Sequence, residues 1–204
     1  IIGIQDIDFH IAEVTGEDKT IDVVVDIFNK VNSGGTTLSK GDLALAKISA
    51  EWPDARDLMD EKLTQWEQAN FTFTRDWFLR SVNTLVTGEA KFSYLHDVSA
   101  EDIYGGFKKA FAHIDTCLNI ISGRLGLDHD RVFFGRYAIP VLVRFLEEQK
   151  GNLDVAQRDK MLFWYVQAGM WGRFSSSTES KIDEDLEVLK ESNYDIDALI
   201  KALL

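Results

Sequence analysis

The sequence has a single cysteine, Cys117, two prolines and four histidines in 204 residues. One cysteine excludes an intrachain disulfide and a zinc-ribbon pattern, and such sparse usage suits a reducing cytoplasm. His10, His96, His113 and His129 are scattered and none sits in an HExxH segment, so the zinc-protease signature is absent. No apolar run approaches the roughly 20 residues that cross a bilayer. Nothing has the basic flank, apolar run and small-residue cleavage site of a signal peptide; a soluble, cytoplasmic protein with no membrane partner is expected. Positive charge is scarce: 22 Lys and Arg stand against 34 Asp and Glu, a formal net charge of −12. Nucleic-acid affinity rests largely on cations that neutralise phosphates, so this chain alone is expected to bind duplex DNA weakly. A Walker-type phosphate loop is missing, and no GxGxxG follows a strand-like run.

What is present is the composition of a folded domain: 45% hydrophobic, 27% charged and 11% aromatic. The length suits one domain with one substantial core. The chain opens Ile1-Ile2-Gly3 without an initiator methionine, so it is expected to be a fragment of a longer polypeptide. Ile7-Asp8-Phe9-His10-Ile11 alternates apolar and polar residues, the period of a half-buried strand. Residues 1–16 are therefore expected to form a strand and linker that pairs with an α/β region upstream.

The rest reads as helix. Ile21, Val24, Val25 and Phe28 fall on one helical face. Ser39 with Asp42 forms a capping-box pattern before a helix to about Ala50. Pro53 suits the first turn of the next, which runs to about Ala69. Thr74 and Gly88 mark the start and stop of a helix carrying Phe78, Val82 and Leu85. Ser99 and Asp102 repeat the capping pattern before the clearest stripe in the chain: Ile103, Phe107, Ala110, Ile114, Leu118 and Ile121, with Cys117 on the same face. Phe134, Ala138, Val141 and Phe145 mark a helix that Pro140 either kinks or starts and Gly151 ends. Asp154 with Gln157 caps another that ends near Gly172. Ile182, Leu186 and Leu189 line the next, and Ile196, Leu199, Ile200 and Leu203 the last. The fold class is mainly α: a single helical domain over residues 1–204, of about eight helices, with a short N-terminal β-strand.

Metal and catalytic patterns are thin. Asp128-His129-Asp130 is the densest cluster of ligand-type residues, but neighbours in sequence do not share a helix face, so it is expected at a helix start. The acids between Ile182 and Glu191 are expected to form a solvated face. Trp164, Tyr165, Trp171 and Phe174 could form a binding platform, although at helical spacing such residues belong more often to the core.

Two segments stand out. In Phe28-Asn29-Lys30-Val31-Asn32-Ser33-Gly34-Gly35-Thr36-Thr37-Leu38-Ser39 a helical run enters a Gly-Gly turn and a second helix starts at once. Backbone N–H groups of such a turn can hold an anion; the plainer reading is a helix C-cap and a tight connection. In Gly172-Arg173-Phe174-Ser175-Ser176-Ser177-Thr178-Glu179 an arginine precedes a run of hydroxyls. Arg173 could contact phosphate, or pack over Phe174 or Trp171 beside an N-cap loop. The candidates for nucleotide or anion binding are Asn32, Ser33, Gly34, Gly35, Thr36 and Arg173.

Ile27-Phe28-Asn29-Lys30-Val31-Asn32-Ser33-Gly34-Gly35-Thr36-Thr37-Leu38-Ser39 resembles a hallmark of the GmrSD-type restriction endonuclease N-terminal family, with Lys30 where arginine is usual. Gly172 to Glu179, followed by Asp183-Glu184-Asp185-Leu186, is similar to a downstream signature of the same family. The resemblance implies bacterial phage defence by restriction, with nucleotide hydrolysis and DNA cleavage. The family's Asp-Gly-x-Gln-Arg segment, on an upstream α/β core, is not in this chain, nor is its HNH-like nuclease domain. No catalytic residue and no metal ligand carries over. The chain then corresponds to the helical portion that buttresses the nucleotide site. It would hold no cofactor of its own, with nucleotide and a divalent metal belonging to the full-length protein. Its partners would be the upstream α/β domain, a second copy in a homo-oligomer, and DNA only through the full-length protein. The alternative is a protein–protein interaction or oligomerisation module with no nucleotide role.

Overall fold

The computed structural model describes residues 40–203, apart from 93, 94, 96 and 97. The strand expected at residues 7–11, the amphipathic run at 21–28, the Asn32–Thr36 turn and the Ser39 cap lie outside the described residues. Within them the chain is mainly helical, with eight α-helices: α1 (Lys40–Glu51), α2 (Ala55–Gln68), α3 (Arg75–Thr87), α4 (Ala100–Leu125), α5 (Ala138–Glu148), α6 (Val155–Met170), α7 (Thr178–Glu191) and α8 (Ile196–Leu203). No helix among the described residues is long and apolar enough to cross a membrane.

Side-chain caps set the starts of α3, α4 and α6. The Thr74 side chain accepts from the Trp77 N–H, and the Ser99 side chain from the Asp102 N–H. Ser99 also donates its hydroxyl to the Asp102 carboxylate. Asp154 and Gln157 form the full reciprocal capping box. Pro140 is the third residue of α5, in its first turn, where its missing N–H leaves no helical bond unmade. Pro53 differs from expectation: it precedes Asp54, the N-cap of α2, and so lies just outside the helix.

The helix ends are more uniform than their sequences suggest. After α2, α5, α6 and α7 the chain makes the same pair of closing bonds, as Gly172 N–H to Gly169 C=O and Arg173 N–H to Ala168 C=O show for α6. This is the Schellman arrangement, with a left-handed residue just past the end. Asn70, Lys150, Asn193 and Gly172 hold that position, so only one of the four is glycine.

Helices α3 and α5 form the spine. Every residue of α3 from Trp77 to Leu85 is buried, as are Ala138 to Val143, Phe145 and Leu146 of α5. The polar residues on this stretch of α3 are all engaged: Thr84 donates across to the Pro140 carbonyl, and Asn83 to the Glu89 and Lys91 carbonyls. Helices α1, α2 and α4 pack on one side of the spine and α6, α7 and α8 on the other. The α4 stripe is buried in full, Cys117 included, and burial pushes the Cys117 thiol far above its ordinary range. A reactive thiolate is therefore disfavoured there.

Candidate functional site

The second sequence segment, residues 172–179, bridges α6 and α7. Gly172 takes a positive φ of 64° and closes α6, which turns Arg173 inward. Its guanidinium meets the Asp185 carboxylate through Nε at 2.8 and 3.0 Å and Nη2 at 2.6 Å. The Asp185 side chain is fully buried and that of Arg173 is 14% exposed. Glu184 stands 3.5 Å from the same guanidinium. Hydrogen bonding to Asp185 tightens Arg173's hold on its proton. Burial pushes the Asp185 carboxyl upward, and the pairing with Arg173 pulls it back. Three charge-assisted bonds tie the two groups together.

This partner was not legible in the sequence. The acids of α7 do not form one solvated face: Asp185 is buried, and Asp183 accepts the Ala90 N–H at 2.6 Å. Nor does Arg173 lie over an aromatic ring; its fork is spent on a carboxylate twelve residues away. The loop hydroxyls are partly engaged as well. Ser175 donates to the Gly172 carbonyl and Thr178 to the Phe174 carbonyl. Ser177 begins α7 in a left-handed conformation with no side-chain cap. Beside this loop lies an open cleft of about 470 Å³, lined by Gly135, Arg136, Tyr137, Gly169, Gly172 and Ser175.

The last residue of the segment, Glu179, reaches the spine. Arg80, only 6% exposed on α3, donates through Nη1 to Glu179 at 2.9 Å and to the Ala90 carbonyl at 3.0 Å. Its Nη2 donates to Asp76 at 3.3 Å, and its guanidinium lies 4.9 Å over the Phe92 ring. Asp76 also abuts the first turn of α1: a Cβ on Gly41 would stand 2.9 Å from Asp76 Oδ1. The start of α1, directly after the first sequence segment, is thus joined through Asp76 and Arg80 to the end of the second. Asn32, Ser33, Gly34, Gly35 and Thr36 themselves lie outside the described residues.

Of the four aromatics weighed as a platform, Trp164, Tyr165 and Phe174 are in the core, and Trp171 is 55% exposed. Tyr165 donates its hydroxyl to the Phe134 carbonyl, and burial pushes that hydroxyl well above the usual tyrosine range. Asp128-His129-Asp130 belongs to the turn between α4 and α5, not to a helix start. Asp130 accepts the Thr72 N–H, and His129 Nδ1 accepts the Arg131 N–H. Among the described residues no group of three or more His, Cys, Asp or Glu side chains is placed to hold a metal ion.

A second ionic cluster lies on α4 and α5, where Glu147 accepts from Lys109 at 2.5 Å and sits 2.9 Å from His113 Nε2. Burial alone would raise the Glu147 carboxyl, but these two hydrogen bonds hold it below the ordinary carboxylate range. No family model, curated protein or solved structure matches the chain.

Proposed function

We propose that this chain is the helical part of a GmrSD-like, nucleotide-dependent DNA restriction protein, and that it buttresses an upstream nucleotide-binding core. Asn32, Ser33, Gly34, Gly35 and Thr36 would lie at or near the nucleotide. Arg173 would shape the neighbouring loop through Asp185 more than it would bind phosphate directly. One observation supports this reading most: the Gly41–Asp76–Arg80–Glu179 relay ties the first turn of α1, which follows the first family-like segment in sequence, to the last residue of the second. Thr36 is four residues from Lys40, a reach of about 14 Å at full extension. On this reading the first segment would lie near the end of the bundle where the second begins α7. Backbone N–H groups of a Gly-Gly turn can receive phosphate oxygens there, while catalytic groups and metal ligands belong to the upstream core.

Ser33→Ala in the full-length protein tests this. Its hydroxyl is not needed for a turn's backbone angles, so nucleotide-dependent activity should fall several-fold while thermal stability stays within about 0.5 kcal/mol of the original. Unchanged activity would remove the site assignment. The chain on its own should neither hydrolyse nucleotide nor cut DNA, and metal-dependent turnover abolished by a point change within it would overturn the reading.

The interaction-module alternative is favoured by a different observation. Phe163, Met170 and Trp171 on and just beyond α6 are 48%, 74% and 55% exposed. Phe163 and Met170, seven residues apart, share one outward face of the helix. If that face mediates self-association, the purified chain should sediment as an oligomer, and Phe163→Glu with Met170→Glu should return it to monomer without loss of helicity. A monomer at about 0.1 mM, where even weak pairing near 0.1 mM Kd would show, removes this alternative.

A further inference from the structure

We propose that Arg80 is a positioning residue that couples the first turn of α7 to the first turn of α1, so that the loop at 172–179 and the start of α1 shift together. The coupling itself stands on the described geometry; only its consequence for nucleotide chemistry rests on the function proposed above. Arg80 is buried yet serves three separate pieces of chain: Asp76 on its own helix, the Ala90 carbonyl in the loop after α3, and Glu179 on α7. The planar fork makes this possible, since one Nη serves Ala90 and Glu179 while the other serves Asp76. A lysine carries one nitrogen and cannot span the same three acceptors.

Helix α7 is gripped a second time through the same loop. The Ala90 N–H donates to Asp183, while the Ala90 carbonyl accepts from Arg80. Glu179 and Asp183 are four residues apart and share one face of α7, so both bonds pull that face toward Arg80. At the other end Asp76 meets Gly41, where any Cβ would press against Asp76 Oδ1 at 2.9 Å and the Asp76 Cα at 3.1 Å. Glycine at this position lets α1 approach closely, and the approach converts a displacement of Asp76 into a displacement of α1. The Arg173–Asp185 pair grips α7 from elsewhere, through the loop and not through α3. The two grips are therefore separable.

Native-state hydrogen exchange on the full chain distinguishes coupling from simple stabilisation. Glu179→Ala should speed exchange of the Lys181 and Ile182 amides in α7 and also of the Ala44 and Leu45 amides in α1, each by about tenfold. Lys181→Ala, which removes a neighbouring pair with Glu184, should speed only the α7 amides. Coupling is reciprocal, so Gly41→Ala should speed the α7 amides as well as those of α1. In an Arg80→Met background the effect of Glu179→Ala on α1 should vanish. If that variant does not fold, Asp76→Asn, which weakens the relay on the α1 side, should reduce the effect. The proposal is overturned if Glu179→Ala leaves Ala44 and Leu45 unchanged, or if Gly41→Ala acts on α1 alone. Coupling without any effect of Ser33→Ala on activity would uphold the Arg80 relay and remove the nucleotide function.

Discussion

Arg173→Met is expected to destabilise the protein by about 3–5 kcal/mol at pH 7, because it leaves the buried Asp185 carboxylate without its cation. The effect should depend on pH, with a sign fixed by burial. Burial already pushes the Asp185 carboxyl upward in the intact protein, and Arg173 opposes that push. Without Arg173 the folded-state value rises further above that of the unfolded chain. A group raised in this way contributes stability that is fully present below its unfolded value and is lost as pH rises through its folded value. The variant should therefore lie closest to the parent in acid, below the ordinary carboxylate range, and fall away from it toward neutrality. Urea unfolding at a series of pH values measures this gap. Arg173→Met combined with Asp185→Leu should recover most of the loss, since a well-packed apolar pair can replace a buried ion pair at little net cost. A single variant within about 1 kcal/mol of the parent at every pH would show that water reaches Asp185.

The same pair shows where sequence reading stops. Ile103, Phe107, Ala110, Ile114 and Ile121 are all buried in α4, as their spacing predicts, because one helix face is set by covalent geometry alone. The caps at Thr74, Ser99 and Asp154 were legible for a similar reason: donor and acceptor lie within three residues of each other. Asp185 looks like its neighbours Asp183, Glu184 and Glu187 until the loop brings Arg173 to it. Its burial is a tertiary property that no local pattern carries. Arg80 was missed on the same grounds, since its acceptors include Ala90 and Glu179. The one local clue was an arginine within an apolar helix stretch, between Leu79 and Val82. The helix ends at Asn70, Lys150 and Asn193 were harder to read than those at glycine, because non-glycine residues enter the left-handed region only when the closing hydrogen bonds reward it. The candidate site was legible only as two segments, and their connection through Asp76 and Arg80 required the fold.

Phe78→Ala should produce a comparable loss, about 3–5 kcal/mol, by a different mechanism. Phe78 is completely buried on α3. Its ring stacks on Phe111 at 4.8 Å, makes a T-shaped contact with Phe107 at 5.1 Å and lies 6.0 Å from Trp66. These rings belong to α4 and α2, so Phe78 joins two helices on one side to the spine. Removing it deletes apolar burial and leaves a cavity that the flat faces of its neighbours cannot close without tilting. The pairwise ring geometry adds a smaller loss beyond area alone. Phe78→Leu keeps most of the volume and should lose less than about 1.5 kcal/mol, which separates volume from ring contact. The contrasting substitution is Trp171→Ala, whose side chain is more than half exposed and whose loss should stay within about 0.5 kcal/mol. For a chain of this length the Phe78→Ala change corresponds to a fall in Tm of roughly 10 °C, well resolved in a thermal scan followed by circular dichroism. A fall of less than about 3 °C, equivalent to about 1 kcal/mol, would mean that Trp66, Phe107 and Phe111 collapse into the vacated space.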